Sequence, residues 1–379
     1  MSRFRDGTFT PVALVVCTVV CTVVASSAGD ASLRRVIVGA VVNMVAVVGI
    51  FLFTGMTGVF SFGQLGFMAI GAYTTGALSI PAVRKGALFT SMPEWLASIE
   101  LPFVAALAAG GIVAALVALL LSFPMSRMQD LPAGLATLAI LVAVYVVAGN
   151  WASVTNGSKG MSGIPPTTTL PIALAVLTLV VFFAWTFKQS GTGLRVQATR
   201  EDAIASRAVG IKVGLERGKA FVASGLVMGI AGGLYAQLFG NLSADAFYLG
   251  PTFLLIAMLV VGGMTSVTGA VLGTIVITTV RELLQEIEAG VEIGPLSVPG
   301  RPGLTEVGLG IVMLLILARR SSGMTRGREW TWAATTSFLS SLRFLRRTAA
   351  PSSAPEEQVT HDDVDTGTVL VAERHGGPS

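Results

Sequence analysis

Few residues of the chain have side chains and spacings suited to catalysis or metal binding. The only two histidines, His361 and His375, lie near the C-terminus, and the only two cysteines, Cys17 and Cys21, lie four positions apart in an apolar segment. The rest of the chain therefore offers no imidazole for a proton relay, a metal site or a nucleophile–histidine pair. The cysteines are expected to be small buried hydrophobic residues. No catalytic residue and no metal site are predicted.

The chain also lacks the glycine-rich loop with which many proteins bind nucleotide phosphates. The nearest candidate, Gly218 followed by Lys219, continues with alanine and has no glycine at the required upstream position. It does not fit the pattern G-x-x-x-x-G-K-[ST]. The chain is expected to hydrolyse no ATP by this route and to need no cofactor of its own.

The long apolar stretches hold no ionisable residue well inside a predicted span. Carriers coupled to ions or protons usually keep such a group, and an integral membrane enzyme would need a catalytic acid, base or nucleophile near the bilayer. Both classes are disfavoured. A secondary transporter is still an alternative, because backbone carbonyl groups can bind sodium without an ionisable side chain.

Composition places the chain in a lipid bilayer. Of its 379 residues, 53% are hydrophobic and 12% are charged, whereas soluble domains average about 25% charged residues. The pI near 9.3 does not indicate nucleic-acid binding, because the basic residues flank apolar spans in the manner of the positive-inside bias. The predicted fold class is an all-α polytopic membrane protein.

The apolar segments predict about ten transmembrane or half-membrane helices, with both termini in the cytosol. A retained first helix is favoured over a cleaved signal peptide. Residues 34 and 35, both arginine, fall outside in this scheme, against the positive-inside rule. The glycine-rich stretch 54–73 predicts either close helix packing or a broken helix that lines a cavity. The spans are 11–28, two crossings within 36–83, then 101–121, 132–149, 171–187, 220–239, 251–262, 268–285 and 304–318.

Three parts of the chain are expected to be distinct. Residues 1–320 form the membrane domain, with a charged loop at 188–219. Residues 321–350 form a basic, amphipathic cytoplasmic segment, and residues 351–379 form a disordered tail rich in Ser, Pro and acidic residues.

The densest group of charges lies at 187–219, between two apolar spans. It contains seven basic and three acidic residues, which predicts a cytosolic location. Thr199 followed by Asp202 matches a helix N-cap pattern, and Gly210 suits a left-handed C-terminal stop. The pattern predicts a helix over 200–209, about 15 Å long and too short to span. A solvent-exposed connecting helix is the alternative to a docking site.

This stretch resembles the cytoplasmic coupling loop of ABC-importer permeases for branched-chain amino acids. Residues 191–211 read GTGLRVQATREDAIASRAVGI and depart from the family's pattern at 197–199. They match it at Gly193, Leu194, Arg195, Arg200, Glu201, Asp202, Ala205, Ala208, Gly210 and Ile211. The resemblance implies that an ATPase subunit contacts Arg195, Arg200, Glu201, Asp202, Ala205, Ala208 and Gly210.

Three further segments are similar to elements of the same family. They are SFGQLGFMAIGAY at 61–73, TNGSKGMSGIP at 155–165 and VGGMTSVTGAVLG at 261–273, the last with Met-Thr where Leu-Gly is expected. Four motifs in this order favour the LivM-like branch. The neutral polar groups and glycines of two of them suggest a translocation path formed by Ser61, Gly63, Gln64, Tyr73, Asn156, Gly157, Gly160, Ser162 and Gly163, with helix packing or turn geometry as the alternative.

The resemblance implies a transport subunit of the bacterial cytoplasmic membrane rather than an enzyme. Its expected partners are two cytosolic ABC ATPase subunits that use ATP, a second, LivH-like permease that completes a heterodimer, and an extracytoplasmic solute-binding protein. The expected solutes are leucine, isoleucine and valine. The alternatives are urea, short amides or another small polar solute in the same kind of importer, an ATP-independent facilitator or channel, and a membrane scaffold.

Overall fold

The computed structural model describes most of the membrane domain. It covers residues 18, 31–89, 92–126, 128, 130–289, 292–293, 296–297, 303–319 and 323–325, all of which belong to the compact unit 1–332. The predicted first helix at 11–28 lies outside the described residues apart from Thr18. The predicted basic segment at 321–350 also lies outside the described residues, apart from residues 323–325. The whole predicted tail at 351–379 lies outside them.

Helices form most of the described chain, and the long ones follow the predicted apolar segments. The first half contains α1 (Ala31–Ile50), a π-helical turn at Phe51–Gly55, α2 (Gln64–Ser79), α3 (Ala82–Leu88), α4 (Glu94–Ser98), α5 (Phe103–Met125), α6 (Asp130–Asn150), α7 (Ala152–Thr155) and a 3-10 turn at Gly157–Lys159.

The second half continues the same pattern. It contains α8 (Leu170–Gln189), α9 (Gly191–Glu201), α10 (Ala203–Ala208), α11 (Val213–Phe239), a 3-10 turn at Ala244–Phe247, α12 (Leu249–Gly262), α13 (Val267–Ala289) and α14 (Leu304–Arg319). Strand β1 (Met161–Ser162) pairs antiparallel with β2 (Asn241–Leu242). Strand β3 (Glu292–Ile293) pairs with β4 (Leu296–Ser297).

Seven of these helical stretches are long and apolar enough to cross a bilayer. Together with α2 and α14 they account for nine of the ten predicted crossings, and the tenth falls at 11–28. The prediction of an all-α polytopic membrane protein is confirmed. The pair of helices expected on either side of the glycine-rich turn at 262–266 is present as α12 and α13.

Helix α11 is the centre of the bundle, and it packs against α5, α2 and α1. Small residues make this packing close: a Cβ atom added at Gly229 would lie 2.5 Å from the Cβ of Ala114, and one added at Gly71 would overlap the backbone of Gly229. Glycine contacts of this kind let helix backbones approach in a membrane.

The glycine-rich stretch 54–73 combines both predicted behaviours. Its first part is a break in the helix, because the buried π-helical turn ends at Gly55 and residues 58–61 are not helical. Its second part is helix packing, since Gly66 and Gly71 lie inside α2 and face neighbouring helices. Irregular backbone at this depth is tolerated because protein surrounds it.

The described bundle has two distinguishable ends. At one, here called the basic end, the segment 188–219 contacts the backbone of Gly55 and Thr265. At the other, here called the far end, β1 pairs with β2 and the loop 155–163 adjoins the C-terminal end of α2. Successive spans alternate between these ends.

Candidate coupling and translocation sites

The charged segment after α8 folds as two short helices rather than one. Ser190 accepts a hydrogen bond on Oγ from the backbone N–H of Gly193, at 3.1 Å, and thereby caps the start of α9. Thr199 lies inside α9, buried, and its hydroxyl donates to the carbonyl of Val196. The prediction that Thr199 caps a helix over 200–209 is therefore wrong, because the helix has already begun nine residues earlier.

Asp202 separates the two helices. Its backbone is extended, with φ −152° and ψ 110°, and its carboxylate accepts hydrogen bonds from the N–H groups of Ile204 and Ala205 at 2.7 and 2.9 Å. The bonds from Ala205 and Ile204 hold the pKa of this carboxyl below its usual value. The predicted stop at Gly210 is present, since Gly210 has φ +85°.

Two arginines fasten this segment to the membrane body. Arg200 donates from Nη1 to the carbonyl oxygen of Gly55 at 2.8 Å, and Arg217, in the first turns of α11, donates to the carbonyl of Thr199 at 3.2 Å. A Cβ atom at Gly58, where φ is +75°, would lie 3.0 Å from Cγ of Arg200. The break after the π-helical turn thus makes room for the Arg200 side chain.

A buried carboxylate provides a third attachment. Glu216 of α11 has a side chain only 6% exposed and lies 2.9 Å from Nζ of Lys219 and 3.5 Å from Nη1 of Arg195. Because the Arg195 pair links α9 to α11, the two helices are joined by both this ion pair and the Arg217 bond. The Arg195 side chain is itself 57% exposed, so solvent weakens the pair.

The outer surface of α10 and of the residue that follows it combines large apolar side chains with the exposed Arg207. Ile204 and Val209 are 78% and 76% exposed, and Leu194 of α9 is 60% exposed. The predicted ATPase-coupling residues divide accordingly. Arg200 attaches the segment to the membrane body, and Arg195 is exposed but pairs with Glu216 of α11. The other predicted residues are exposed: Glu201, Asp202, Ala205, Ala208 and Gly210.

The proposed translocation residues fall into separate places. Ser61 and Gln64 are buried near the basic end, where Gln64 donates to Oγ of Ser61 at 3.4 Å. Oγ of Ser224 lies 2.6 Å from the carbonyl oxygen of Gly49 and 2.9 Å from Oε1 of Gln64, and its single proton is shared between these two acceptors. Gly63 precedes α2 and packs against the backbone of Thr137. The side chains of Gln64 and Ser224 therefore link α2 to α11. Sequence reasoning did not identify Ser224 as part of this contact.

Tyr73 lies further along α2. Its ring packs against Phe247 with centroids 6.4 Å apart, and its buried hydroxyl has no hydrogen-bond partner among the described residues. It lines an apolar cavity of about 590 Å³ between α2, α5 and α6.

The remaining residues of this set form a tight loop at the far end. Asn156 has φ +64°, and its Nδ2 donates to the carbonyl of Gly160 at 3.1 Å. Positive φ angles occur also at Gly157, Gly160 and Gly163, and Ser162 lies in β1. This loop contacts α2 near Gly76, about 18 Å along the helix from Gln64 at about 1.5 Å per residue. The structure thus does not bring the predicted set together as one site.

Comparison with known proteins identifies the architecture. A family model described as the branched-chain amino acid transport system / permease component matches residues 32–317. The chain belongs to this permease family. The match extends from α1 into α14 and includes the segment 188–219.

Two relatives of low sequence identity are also branched-chain amino acid permeases. The high-affinity branched-chain amino acid transport system permease protein LivM of Escherichia coli (strain K12) is 26% identical over 272 residues. LivM of Salmonella typhimurium (strain LT2) is 25% identical. Each alignment covers 63% of this chain and 60% of the relative. No solved structure matches the chain significantly. The chain is a multi-pass membrane permease, and the family is one of transport subunits rather than enzymes.

A polar cavity of the permease was missed by sequence reasoning. It has a volume of about 480 Å³, opens at the far end, and lies between α1, α11, α12 and α13. Arg35, Arg281 and Glu282 line it together with Phe239 and Met258. The available signal was the pair of arginines at 34 and 35, which the topology prediction placed against the positive-inside rule.

Proposed function

We propose that the chain is the transmembrane permease subunit of an ABC importer that moves leucine, isoleucine and valine across the bacterial cytoplasmic membrane. The chain binds no cofactor and hydrolyses no nucleotide. Two cytosolic ATPase subunits use ATP on its behalf, an extracytoplasmic protein delivers the solute, and a LivH-like permease completes a heterodimeric pore. Residues 1–320 form the transport domain, and the described basic end faces the cytosol.

The observation that supports this proposal is the construction of α10. It displays Ile204 and Val209 to solvent outside the membrane body, while Arg200 and Arg217 attach its supporting helix α9 to Gly55 and α11. Exposed apolar side chains on a firmly attached short helix suit a protein partner. Movement of that partner would reach the central helix α11 without being absorbed by a flexible loop.

Charge distribution supports the orientation. Seven basic residues against three acidic ones lie in 187–219, and the described structure gathers them at one end of the bundle. Cytoplasmic loops are enriched in lysine and arginine, so this end and both termini are assigned to the cytosol.

The substrate assignment rests on the family and on the two LivM relatives. The translocation path is proposed to pass Ser61, Gly63, Gln64 and Tyr73 and the loop with Asn156, Gly157, Gly160, Ser162 and Gly163. The Gln64–Ser224 link and the loop at 155–163 lie at opposite ends of this proposed path. Because the two are separated in the present conformation, a conformational change is needed to connect them.

The test is reconstitution into liposomes of the chain with its paired permease, ATPase subunits and binding protein, followed by uptake of radiolabelled leucine. Uptake should require ATP and all components, and excess isoleucine or valine should compete while urea and acetamide should not. Competition by urea or acetamide alone would move the substrate to the small polar solutes. ATP-independent leucine flux through the chain by itself would contradict the proposal in favour of a facilitator.

A further inference from the structure

The far-end cavity has two chemically different walls. One wall is ionic and polar, with Arg35 from α1 and Arg281 and Glu282 from α13. The other is apolar, with Phe239, which is 46% exposed at the end of α11, and the partly buried Val36 of α1. A volume of about 480 Å³ lies within the range of about 300–1,000 Å³ in which small-molecule sites occur.

The ionic wall is not explained by the folding of the chain. Within the described residues, Arg35, Arg281 and Glu282 form no ion pair with one another or with a neighbour. Arg281 and Glu282 lie in the C-terminal half of α13, toward the far end, so these opposite charges are left to solvent or to a solute.

A neighbouring hydroxyl is also unsatisfied. Oγ1 of Thr278, one turn before Glu282 on α13, is buried and has no hydrogen-bond partner in the described part of the chain. Thr278 lines the same cavity. Buried polar atoms normally have partners, so the lining of this cavity includes a polar group that the described chain leaves unsatisfied.

We propose that this cavity is the far-end binding site for the zwitterionic solute. Arg35 and Arg281 bind the α-carboxylate, Glu282 binds the α-ammonium group, and Phe239 and Val36 contact the aliphatic side chain. The ligand class is an α-amino acid with an apolar side chain, which uses both charges and the apolar wall together. This inference rests on the proposed function and adds to it the groups that recognise the solute.

Weak binding is expected at such a site, and it suits transport. The arginine wall is open to solvent, since Arg35 is an exposed residue, and water and salt screen exposed charges. A solute could therefore enter and leave rapidly. The same position explains why arginine occurs at residue 35 on the end that the positive-inside rule disfavours.

The experiment uses the complete transporter in nanodiscs, with Cys17→Ser and Cys21→Ser in this chain and a single reporter, Gln285→Cys, in the cavity lining. The rate of modification by a charged methanethiosulfonate reagent is measured with and without leucine. At half occupancy leucine should slow the reaction by about two-fold. Neither 4-methylpentanoate, which lacks the ammonium group, nor 3-methylbutylamine, which lacks the carboxylate, should protect at the same concentration.

Matched variants then assign the charges. Arg281→Gln and Glu282→Gln should each remove protection by leucine, whereas Arg281→Lys and Glu282→Asp should retain part of it. Arg84→Gln and Glu94→Gln, which change exposed charges at the far end outside the cavity, should leave protection unchanged. A reporter at Val83→Cys, 91% exposed at the far end and outside both cavities, should react at the same rate with and without leucine.

The outcomes separate this inference from the proposed function. Leucine uptake driven by ATP in the reporter protein, without protection of residue 285, would overturn the site and leave the importer assignment intact. Equal protection by leucine and by either analogue would overturn recognition of the zwitterion. Protection without any ATP-driven uptake would support the site and contradict the proposed function. Copurification with the other subunits identifies variants that fail to assemble. If Arg281→Gln or Glu282→Gln fails to assemble, leucine protection in Arg281→Lys and Glu282→Asp tests the site instead.

Discussion

The guanidinium group of Arg200 donates a hydrogen bond to the backbone carbonyl oxygen of Gly55 at 2.8 Å. Arg200 is in the last turn of α9, outside the membrane body, and Gly55 ends the π-helical turn that follows α1. The bond connects the proposed coupling segment to a buried break in a membrane helix. A break of this kind can change shape more readily than a regular helix, so the bond joins a partner-binding surface to a deformable element.

Replacement of Arg200 by glutamine should uncouple ATP hydrolysis from transport. A hydrogen bond from a charged group contributes about 1.5–3 kcal/mol, and its loss should free α9 from Gly55 while leaving α10 exposed. ATPase subunits should still copurify, whereas leucine uptake per ATP hydrolysed should fall. The matched control is Arg84→Gln, because Arg84 is exposed at the far end and lies outside the coupling segment. Equal transport efficiency in the two variants would refute a role for the Arg200–Gly55 bond.

The substitution Ile204→Asp should prevent association with the ATPase subunits. Ile204 is 78% exposed on α10, so a carboxylate there costs the isolated chain little but would be buried unpaired in an apolar interface. Loss of a central apolar contact costs about 2–4 kcal/mol, which should reduce copurification by ten-fold or more.

The control for Ile204→Asp is Val83→Asp, since Val83 is 91% exposed but lies at the far end. Both variants should insert and migrate as the unmodified chain does in size-exclusion chromatography. Copurification that survives Ile204→Asp would show that α10 is a connecting helix and not a docking surface.

Much of this architecture follows from the sequence because span-length apolar segments need no long-range information to be recognised. The start of the coupling segment is different. Ser190, Thr199 and Asp202 are all suitable N-caps within a few turns, and local pattern does not choose among them. The choice is made by packing: Val196 and Thr199 are buried against the membrane body, which holds α9 helical through the position at which the sequence suggested a start.

The proposed translocation residues show a second limit. Gly157, Gly160 and Gly163 have positive φ angles. Turn geometry therefore explains these glycines in the present conformation, without close approach of the backbone to a solute. The far-end cavity, in contrast, is formed by residues from α1 and α13 that are far apart in the chain. No local motif marks Arg35, Arg281 and Glu282 as neighbours, and only their placement by the helix packing does so.

The cap at Asp202 should make the coupling segment sensitive to acid. Hydrogen bonds from Ala205 and Ile204 lower the pKa of the Asp202 carboxyl in the folded state. The cap therefore stabilises α10 at pH values above the ordinary carboxyl pKa of about 3.9, and this contribution is lost as the pH falls through the lowered folded value. Amide hydrogen exchange of a peptide spanning 200–209, expressed as protection factors, should show the loss. Asp202→Asn caps without titrating, so its protection should not depend on pH in that range.

Charge reversal at Glu201 separates docking from capping. Glu201 is exposed and is the last residue of α9, and among the described residues it accepts no capping bond comparable to that of Asp202. Glu201→Lys should reduce stimulated ATP hydrolysis if the partner surface is basic there, with the fold unchanged. The double variant with Asp202→Lys should abolish it and also lower the protection of α10. Stimulation equal to that of the unmodified chain in both variants would refute the assignment of these acidic residues to the interface.

Gly71 should tolerate no side chain, because it lies where α2 meets the backbone of Gly229 in α11 and the carbonyl of Gly71 approaches Gly110 in α5. Overpacking at such a contact costs about 1–3 kcal/mol. Gly71→Ala should lower the thermal unfolding temperature of the detergent-solubilised permease, and Gly71→Leu should lower it further and reduce assembly. Gly149→Ala is the matched control, since it also lies in a membrane helix but has no neighbouring heavy atom within 4 Å of the added Cβ. Replacing glycine in an open helical position favours the helix, so this control should unfold at the same or a higher temperature. If Gly71→Leu unfolded at the temperature of Gly149→Ala, the close packing of α2, α5 and α11 would be wrong.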